Sequence, residues 1–450
     1  MDEINETRET ILALLETRDE TALREFLAEL HYADLAEILP AMDLQVQTYV
    51  LRLLDYGRAA QVLFELDREQ IPPLLESLGP QATALILQEM SSDDVADLIG
   101  ALTDEQKIRY LGLMPAGDAE DVQELLEYGA DTAGGIMTTE LVAINKDVSA
   151  EEAINTLRRA AAQAETIYYV YVVNDRHQLV GVISLRELIM APPGVPVRDV
   201  MQTNVISVNV ATDQEDVARV VAKYDILAVP VVDDNDVLLG IVTHDDIVDV
   251  IQEEATEDIL RLASVEEEER NPGVGVWARA WHRLPWLVAL LLGELIAGRV
   301  IEGYTGTLET VTALAFFITA MAGGPGNAAT QSLTVVVRGL ATGEFRPREL
   351  WPVIWREVQV GLLVGLVSGL VLSLAAYVLQ GSPTLGLVVG LALAINIMVA
   401  TALGSLVPLL VQRVGVDPAL ASGPFITTLM DVTSMSIYFG LATVFLFYIR

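Results

Sequence analysis

Five apolar stretches, at 284–304, 310–340, 358–379, 385–411 and 418–449, are each long enough to cross a bilayer core as a helix, which takes about 20 residues. They constrain the chain more than any other feature, because in lipid the backbone must satisfy itself, leaving only helices and closed barrels. The second and fifth are over-long, which implies tilt, a break, or an extension beyond the lipid. "AGGPGN", residues 322–327, is expected to interrupt the second, since its glycines and Pro325 weaken a helix. Freed backbone groups at that depth are tolerated only where protein or a water-filled cavity covers them.

Orientation follows from the connecting loops. With the amino end inside, the inner flanks carry Arg279, Arg283, Arg338, Arg346, Arg348, Arg356 and Arg413, and the outer loops around 303–309 and 380–384 carry no Lys or Arg. This fits the positive-inside rule with an odd number of spans. All five tryptophans, Trp277, Trp281, Trp286, Trp351 and Trp355, then fall at the inner interface, as aromatic belts do.

Within "PFITTLMDVTSMSIYFG", residues 424–440, Asp431 is an ionisable group among hydroxyls, with Thr427, Thr428, Thr433 and Ser434 around it. Such a charge costs about 2.5–3.5 kcal/mol on insertion scales and usually faces a pathway or a partner. A carboxylate with hydroxyls and carbonyls is hard-oxygen chemistry, suited to Mg²⁺ or Ca²⁺. Glu294 lies in the middle of the first stretch, where a pair with Arg299 or snorkelling would account for it. Asn327, Gln331 and Asn396 are either pathway groups or interhelical hydrogen bonders.

The rest of the chain has a different composition. Residues 1–270 hold 55 of the 63 acidic residues and 18 of the 27 basic ones, a net of −37, while 271–450 carry a net of +1. No nucleic-acid partner is expected, for want of a basic patch. The acidity attracts cations, or it solvates the surface of a salt-adapted protein. The absence of cysteine removes disulfides, thiolate metal sites and thiol catalysis. The opening "MDEINETRETILALLETRDE" has neither a basic region nor a long apolar core. It does not read as a signal peptide, so the amino end is expected in the cytoplasm.

Residues 1–130 show apolar clusters every dozen residues or so, among them "DLAEIL", "AAQVLFEL", "IPPLLESL" and "DVADLIGAL". Each makes a few helical turns before a breaker, and a small solenoid of short helices is the expectation. Residues 137–258 contain a duplication. "MTTELVAINKDVSAEEAINTL" matches "MQTNVISVNVATDQEDVARVV" at an offset of 64, and "IYYVYVVNDRHQLVGVISLREL" echoes "ILAVPVVDDNDVLLGIVTHDDI". Each copy reads as strand, amphipathic helix, two strands around a polar turn, then helix. "DDIVDVIQEEATEDILRLASVEEEER" continues with helical period until Asn271 and Pro272. Carboxylates recur four apart at Asp93 and Asp97, Asp245 and Asp249, Glu253 and Glu257, and Glu254 and Asp258. Like charges at that spacing repel. They form a solvated face or bracket a divalent cation.

The duplicated copies resemble a tandem of cystathionine-β-synthase-type (CBS) modules, with "VPVVDDNDVLLGIVTHDD" the most specific piece. The order of short helices, CBS pair, acidic helix and five spans bearing "GGPGNAATQS" and "PFITTLMDVTSMSIY" resembles the MgtE family of magnesium channels over essentially the whole chain. The resemblance implies a multidomain membrane protein. It would comprise an all-α helical solenoid (1–131), an α+β tandem CBS module (132–198 and 199–250), a long acidic connecting helix (251–272) and a five-helix transmembrane domain (273–450). It further implies a homodimer in the cell (inner) membrane that takes up Mg²⁺ for magnesium homeostasis and closes when cytosolic Mg²⁺ rises. Asp431 would hold a largely hydrated Mg²⁺ in the pore. Asp93, Asp97, Asp213, Glu215, Asp225, Asp246, Asp249, Glu254, Glu257, Asp258 and Asp417 fall where regulatory Mg²⁺ ligands are expected. ATP is an expected regulatory ligand of the CBS pair, at Arg186, Glu187, Thr243 and Asp246, although the Ser/Thr-x-x-Asp motif becomes Ser184 to Glu187 in the first copy. The sequence departs from the family at Pro325, where glycine is more usual, and in adding Glu294.

Two other classes fit parts of the chain. A CBS-regulated carrier or exporter of another divalent cation, Co²⁺ or Mn²⁺, would share most of these features. An intramembrane aspartyl hydrolase would need a second membrane carboxylate, which Glu294 supplies if it lies within hydrogen-bond reach of Asp431. A zinc type would need a histidine pair that the four scattered histidines do not provide.

Overall fold

Short helices open the chain because most apolar runs there are cut by Asp, Gly or Pro within a few turns. The structure is a computed structural model that describes residues 2–17, 19–67, 70–100, 102–161, 164–265, 275–342, 344–345, 350–414, 417–418, 421 and 423–449. The first helices are α1 (Asp2–Thr17), α2 (Glu20–Glu29), α3 (Tyr32–Ile38), α4 (Leu44–Leu53) and α5 (Tyr56–Phe64). They are followed by α6 (Ile71–Leu78), α7 (Pro80–Leu87), α8 (Ser92–Gly100), α9 (Asp104–Leu111) and α10 (Ala116–Leu125). Asp19 and Asp55 cap α2 and α5 through the backbone N–H groups of Ala22 and Arg58, satisfying donors that a helix start leaves open. Gly79, at φ +81°, ends α6 and lets Pro80 begin α7. α3 packs on α5, α5 on α7 and α7 on α9, while α4 packs on α6 and α8 on α10. Leu35, Val50, Leu63, Leu74 and Ile99 are buried in the shared core.

The duplication folds as two copies of one sheet. β1 (Ala143–Asn145), β2 (Tyr169–Val173) and β3 (Leu179–Ser184) form the first; β4 (Val208–Asn209), β5 (Ala228–Val232) and β6 (Leu238–Thr243) form the second. In each, the first pair is parallel, the second antiparallel, and the register shifts at the last valine pair of the middle strand. The helices α11 (Ala150–Ala160), α12 (Leu185–Met190) and α13 (Gln214–Tyr224) complete the copies. The copies are laced together by exchange. A Cβ on Gly240 in β6 would stand 2.8 Å from Met137 Sδ, and one on Gly181 in β3 would stand 2.4 Å from Met201 Sδ. Each copy thus receives the opening methionine of the other, and only glycine leaves it room.

The chain divides into two units, Met1–Ile251 and Gln252–Arg450. α14 (His244–Leu262) continues across that division as one helix. The expected connecting helix is therefore observed through Leu262, and the remainder of 251–272 beyond Val265 lies outside the described residues, as do Arg346 and Arg348.

The second unit is built from α15 (Val276–Gly303), α16 (Thr305–Thr310), α17 (Ile318–Ala341), α18 (Leu350–Gln380), α19 (Pro383–Arg413), α20 (Gly423–Val444) and α21 (Leu446–Ile449). Four of the described helices, α15, α18, α19 and α20, are long and apolar enough to cross a membrane. α17 has the length, but its glycines, Asn327, Thr330 and Gln331 dilute its apolar character. The expected interruption at 322–327 is not where the structure breaks. α17 runs through Pro325 without a stop, and the break comes earlier, in a 3₁₀ turn at Thr312–Phe317 entered by Val311 at φ −130°, ψ 78°. Buried packing of the helix outweighs the one backbone hydrogen bond that Pro325 removes.

α18 and α19 meet backbone to backbone. Gly361, Gly365 and Gly369 lie four apart on α18, and a Cβ on Gly369 would stand 2.4 Å from Gly390 O. Small residues at that spacing are how helices approach closely in lipid. The GxxxGxxxG spacing of these three glycines is legible in the sequence itself.

Candidate functional site

In the membrane unit, Asp431 projects from the middle of α20 and is part-buried. Its neighbouring hydroxyls donate backwards along their own helix, Thr427 to Pro424 O at 2.9 Å, Thr428 to Pro424 O at 3.0 Å and Thr433 to Leu429 O at 2.8 Å. With the proton so placed, each oxygen keeps lone pairs for an outside donor or a cation. Ser434 differs. It is fully buried and its Oγ has no partner among the described residues.

α15 packs against α20 at a point where a Cβ on Gly293 would come within 2.0 Å of Thr428 Cγ2. The next residue, Glu294, lies within hydrogen-bonding reach of Asp431. The alternative pairing with Arg299 is not made, because Arg299 bonds Glu302 at 2.6 Å. Asn396 on α19 is completely buried and donates to Ser434 O at 3.3 Å, while its Oδ1 has no partner among the described residues. Asn327 and Gln331 lie four apart on α17 and both are exposed, so neither is buried in a helix contact within the chain.

In the first unit, carboxylates converge around Asp93 in the opening turn of α8. Ser92 Oγ lies 3.1 Å from Thr139 Oγ1, and Thr138 pairs in both directions with Ile241 of β6. Glu165 N donates to Glu140 O at 2.8 Å. These bonds bring Asp93, Asp94, Glu140, Glu165, Asp245 and Asp246 into one electrostatic neighbourhood. Burial pushes the Asp93 carboxyl up from its ordinary range. Burial and then the Asp93 charge push Asp94 up to about 8 and Asp246 up to about 7. Glu140 rises to about 7 through burial and then Glu165, and Glu165 itself rises through burial and then Asp93. Asp93 Oδ1 is buried with no hydrogen-bond partner among the described residues. Such a group is costly to keep charged, and an orphaned oxygen among acids fits an oxygen-seeking divalent ion. Among the described residues no three acidic or histidine side chains already stand in metal-holding geometry.

The other expected ligands are placed separately. Asp97 is exposed on α8. Asp213 caps α13 through Glu215 N at 2.9 Å, Glu215 pairs with Arg219 at 2.6 Å, and Asp225 ends the helix at φ 52°. Asp249 lies in α14 near Asp245, and Glu254 and Asp258 lie further along it. Arg261 pairs with both Glu257 and Asp417. At the expected nucleotide positions, Glu187 is a capping-box partner, accepting from Ser184 Oγ at 2.7 Å, and Asp246 accepts in the same way from Thr243 Oγ1. Arg186 precedes Glu187 in α12. Asp94, Glu140 and Glu165 belong to the cluster and were not singled out from the sequence. They come from three separate segments, α8 and the loops before β1 and β2, and only the doubled acid in "SSDD" hinted at one of them.

Three comparisons bear on this arrangement. The family model described as "Divalent cation transporter" matches residues 318–441, "MgtE intracellular N domain" matches 30–131, and "CBS domain" matches 133–194 and 197–253. The chain is 41% identical to the magnesium transporter MgtE of Enterococcus faecalis, covering 100% of both chains. It is 40% identical to that of Thermus thermophilus, covering 96% of this chain and 97% of the other. The chain belongs to the MgtE family of magnesium transporters. Among solved structures, the cytosolic domain of the Mg²⁺ channel MgtE in complex with ATP is similar at 41% identity and a TM-score of 0.53, covering 54% of this chain and 99% of the other. The soluble part of a magnesium transporter is similar at 39% identity and a TM-score of 0.52, covering 56% and 99%.

Membership of a transporter family over the full length sets the Glu294–Asp431 pair in context. The proximity that an aspartyl hydrolase would require is met, but the relatives are named as transporters. Carboxylate oxygens in a membrane unit have the hard-oxygen chemistry that suits a divalent cation.

Proposed function

We propose that the chain is a Mg²⁺-selective channel for magnesium uptake and homeostasis, with five spans in the cell (inner) membrane and a cytosolic region that senses Mg²⁺ and closes the pore. One observation carries the reading: Asp431 has no ion pair among the described residues, in a helix apolar enough to cross a membrane. A hydrated Mg²⁺ suits it, because Mg²⁺ dehydrates reluctantly and keeps waters that hydroxyl oxygens can accept from. α17 supplies the fifth span. Its face at Gly323, Asn327, Gln331 and Thr334 is uncovered in a single chain. A polar face at membrane depth calls for protein or water beside it, which favours a homodimer with the ion path along α17 and α20.

Regulatory Mg²⁺ is assigned to Asp93, Asp97, Asp213, Glu215, Asp225, Asp246, Asp249, Glu254, Glu257, Asp258 and Asp417, in a helical solenoid over 1–131, CBS modules over 132–198 and 199–250, and the connecting helix over 251–272. Membrane lipid, a second copy and divalent cations are the partners. ATP binding to the CBS pair is supported by the ATP complex of the similar cytosolic domain.

Flux into vesicles loaded with a Mg²⁺-sensitive dye tests the reading. The full chain is expected to pass Mg²⁺ as a voltage-dependent current, with Co²⁺, Mn²⁺ and Ca²⁺ as weaker competitors, and Asp431→Ala to abolish it while still inserting as a folded protein. Wild-type flux in Asp431→Ala, or voltage-independent flux, would sink it.

A further inference from the structure

Glu294 is the membrane carboxylate that the proposed pore leaves unexplained. We propose that it is a second carboxylate ligand of the ion-conduction site, so that the passing divalent cation is held between Glu294 of α15 and Asp431 of α20. The inference rests on the reading of Asp431 as the pore site. Four observations support it.

Glu294 lies within hydrogen-bonding reach of Asp431, and neither has an ion pair among the described residues. Arg299, the cation nearest in sequence, is committed to Glu302. Two carboxylates 4 Å apart repel by about 4 kcal/mol at an effective dielectric of 20, and a divalent ion between them reverses the sign. The packing holds them together, because Gly293 has no Cβ to keep α15 off Thr428, and a Cβ there would overlap at 2.0 Å. Glu294 is exposed in the single chain, so it is open to an ion rather than sealed in a helix contact.

Two further oxygens lie one turn along α20. Ser434 is three residues on from Asp431, and residues so spaced are surface neighbours on a helix. Its Oγ is fully buried without a partner, and so is the Oδ1 of Asn396, which the Asn396–Ser434 bond holds alongside. These two unpartnered oxygens lie where α19 meets α20, one turn along α20 from Asp431. Buried polar atoms are rarely left unpaired unless a water or an ion serves them.

The test uses the full chain in vesicles, reading half-saturating Mg²⁺ and maximal flux separately. Gln keeps the shape and hydrogen-bonding capacity of Glu but not its charge. Glu294→Gln is expected to raise half-saturating Mg²⁺ at least about tenfold, since losing a unit charge beside a divalent ion exceeds that even with strong screening. Glu294→Asp is expected to stay close to wild type. A purely structural role would lower maximal flux and leave half-saturation unchanged, which overturns the proposal. If Asp431→Asn abolishes flux and Glu294→Gln saturates like wild type, the pore reading stands and this inference fails. If Asp431→Asn conducts like wild type, both fail. Should Glu294→Gln not fold, the cysteine-free chain offers a second route. Micromolar Cd²⁺ should block Glu294→Cys but not the parent, and an unblocked Glu294→Cys channel overturns the proposal.

Discussion

Arg261 and Asp417 are ion-paired, and the same guanidinium also holds Glu257 one turn back on α14. The pair ties the last turn of α14 to the segment that leads into α20. Leu262 follows immediately and packs into a cluster with Ala329 and Val337 of α17 and Ile426 and Met430 of α20. The end of the connecting helix is thereby fastened to the two helices proposed to line the ion path.

Arg261→Gln should loosen that fastening when Mg²⁺ is absent. The side chains are about a third exposed, so the pair contributes about 1 kcal/mol at most. Hydrogen exchange in the last turn of α14 should rise several-fold without Mg²⁺. It should fall back when Mg²⁺ bridges the freed carboxylates of Glu257 and Asp417. Equal exchange in variant and parent without Mg²⁺ would show that Leu262 packing alone holds the helix.

Gly369→Val should destabilise the membrane unit by about 1–3 kcal/mol, as overpacking does. Its Cβ would stand 2.4 Å from Gly390 O, and backbone cannot swing aside as a side chain can. Gly298 on α15 is the control, because a Cβ there meets nothing within 4 Å. Thermal midpoints in detergent, followed by tryptophan fluorescence, should drop for Gly369→Val and hold or rise for Gly298→Val.

What the sequence disclosed and what it hid follow one physical line. Patterns carried by neighbours along the chain were legible. Long apolar runs became long helices, and two similar strings became two sheets with the same strand order and register shift. The division of charge marked the two halves. Contacts between distant segments were not legible. Asp93 and Asp97 share a helical spacing, yet one is buried and the other exposed, and the partners Asp93 finds are Asp94, Glu140, Glu165 and Asp246. Glu294 looked like a match for Arg299 five residues away, and α20 took it instead. Composition also misplaced the break near α17. Pro325 and its glycines promise one, but tertiary packing closed the helix over them.

Protonation offers a test of the cluster around Asp93. Asp94, Glu140 and Asp246 sit at about 8, 7 and 7, above their ordinary values. The compact first unit therefore binds protons that an unfolded chain would release. Its stability from these groups is full below about pH 4 and is lost as pH rises through 7 to 8. Mg²⁺ added at pH 7 should displace those protons, acidifying a weakly buffered solution, and release should nearly vanish at pH 9. Asp94→Asn should cut the release and stabilise the metal-free protein, on the order of 1–2 kcal/mol. Proton release that is the same at pH 7 and pH 9 would place Mg²⁺ elsewhere.

Removing residues 1–251 should leave a pore that conducts but no longer closes when Mg²⁺ rises on the cytosolic side. The cut follows the boundary between the two units, so it spares Arg261, Asp417 and the contacts of Leu262. It takes away the buried carboxylates around Asp93 and the first two turns of α14. Without divalent ions those carboxylates repel, which favours a looser first unit. Mg²⁺ bound among them favours the compact one, and only its differential affinity for that state can move a gate. Shifting a population from about 1:99 to 99:1 takes about 5.5 kcal/mol, more than one weak site supplies and within reach of several acting together. Closure of the full chain should therefore be steep in Mg²⁺, with monovalent salt at equal ionic strength a poor substitute, because screening cannot bridge two carboxylates. Patch recordings of both forms across a Mg²⁺ series decide the matter. A truncated channel that still closes with the full chain's midpoint and steepness would move the sensor out of the acidic half and onto Glu257, Asp258 and Asp417.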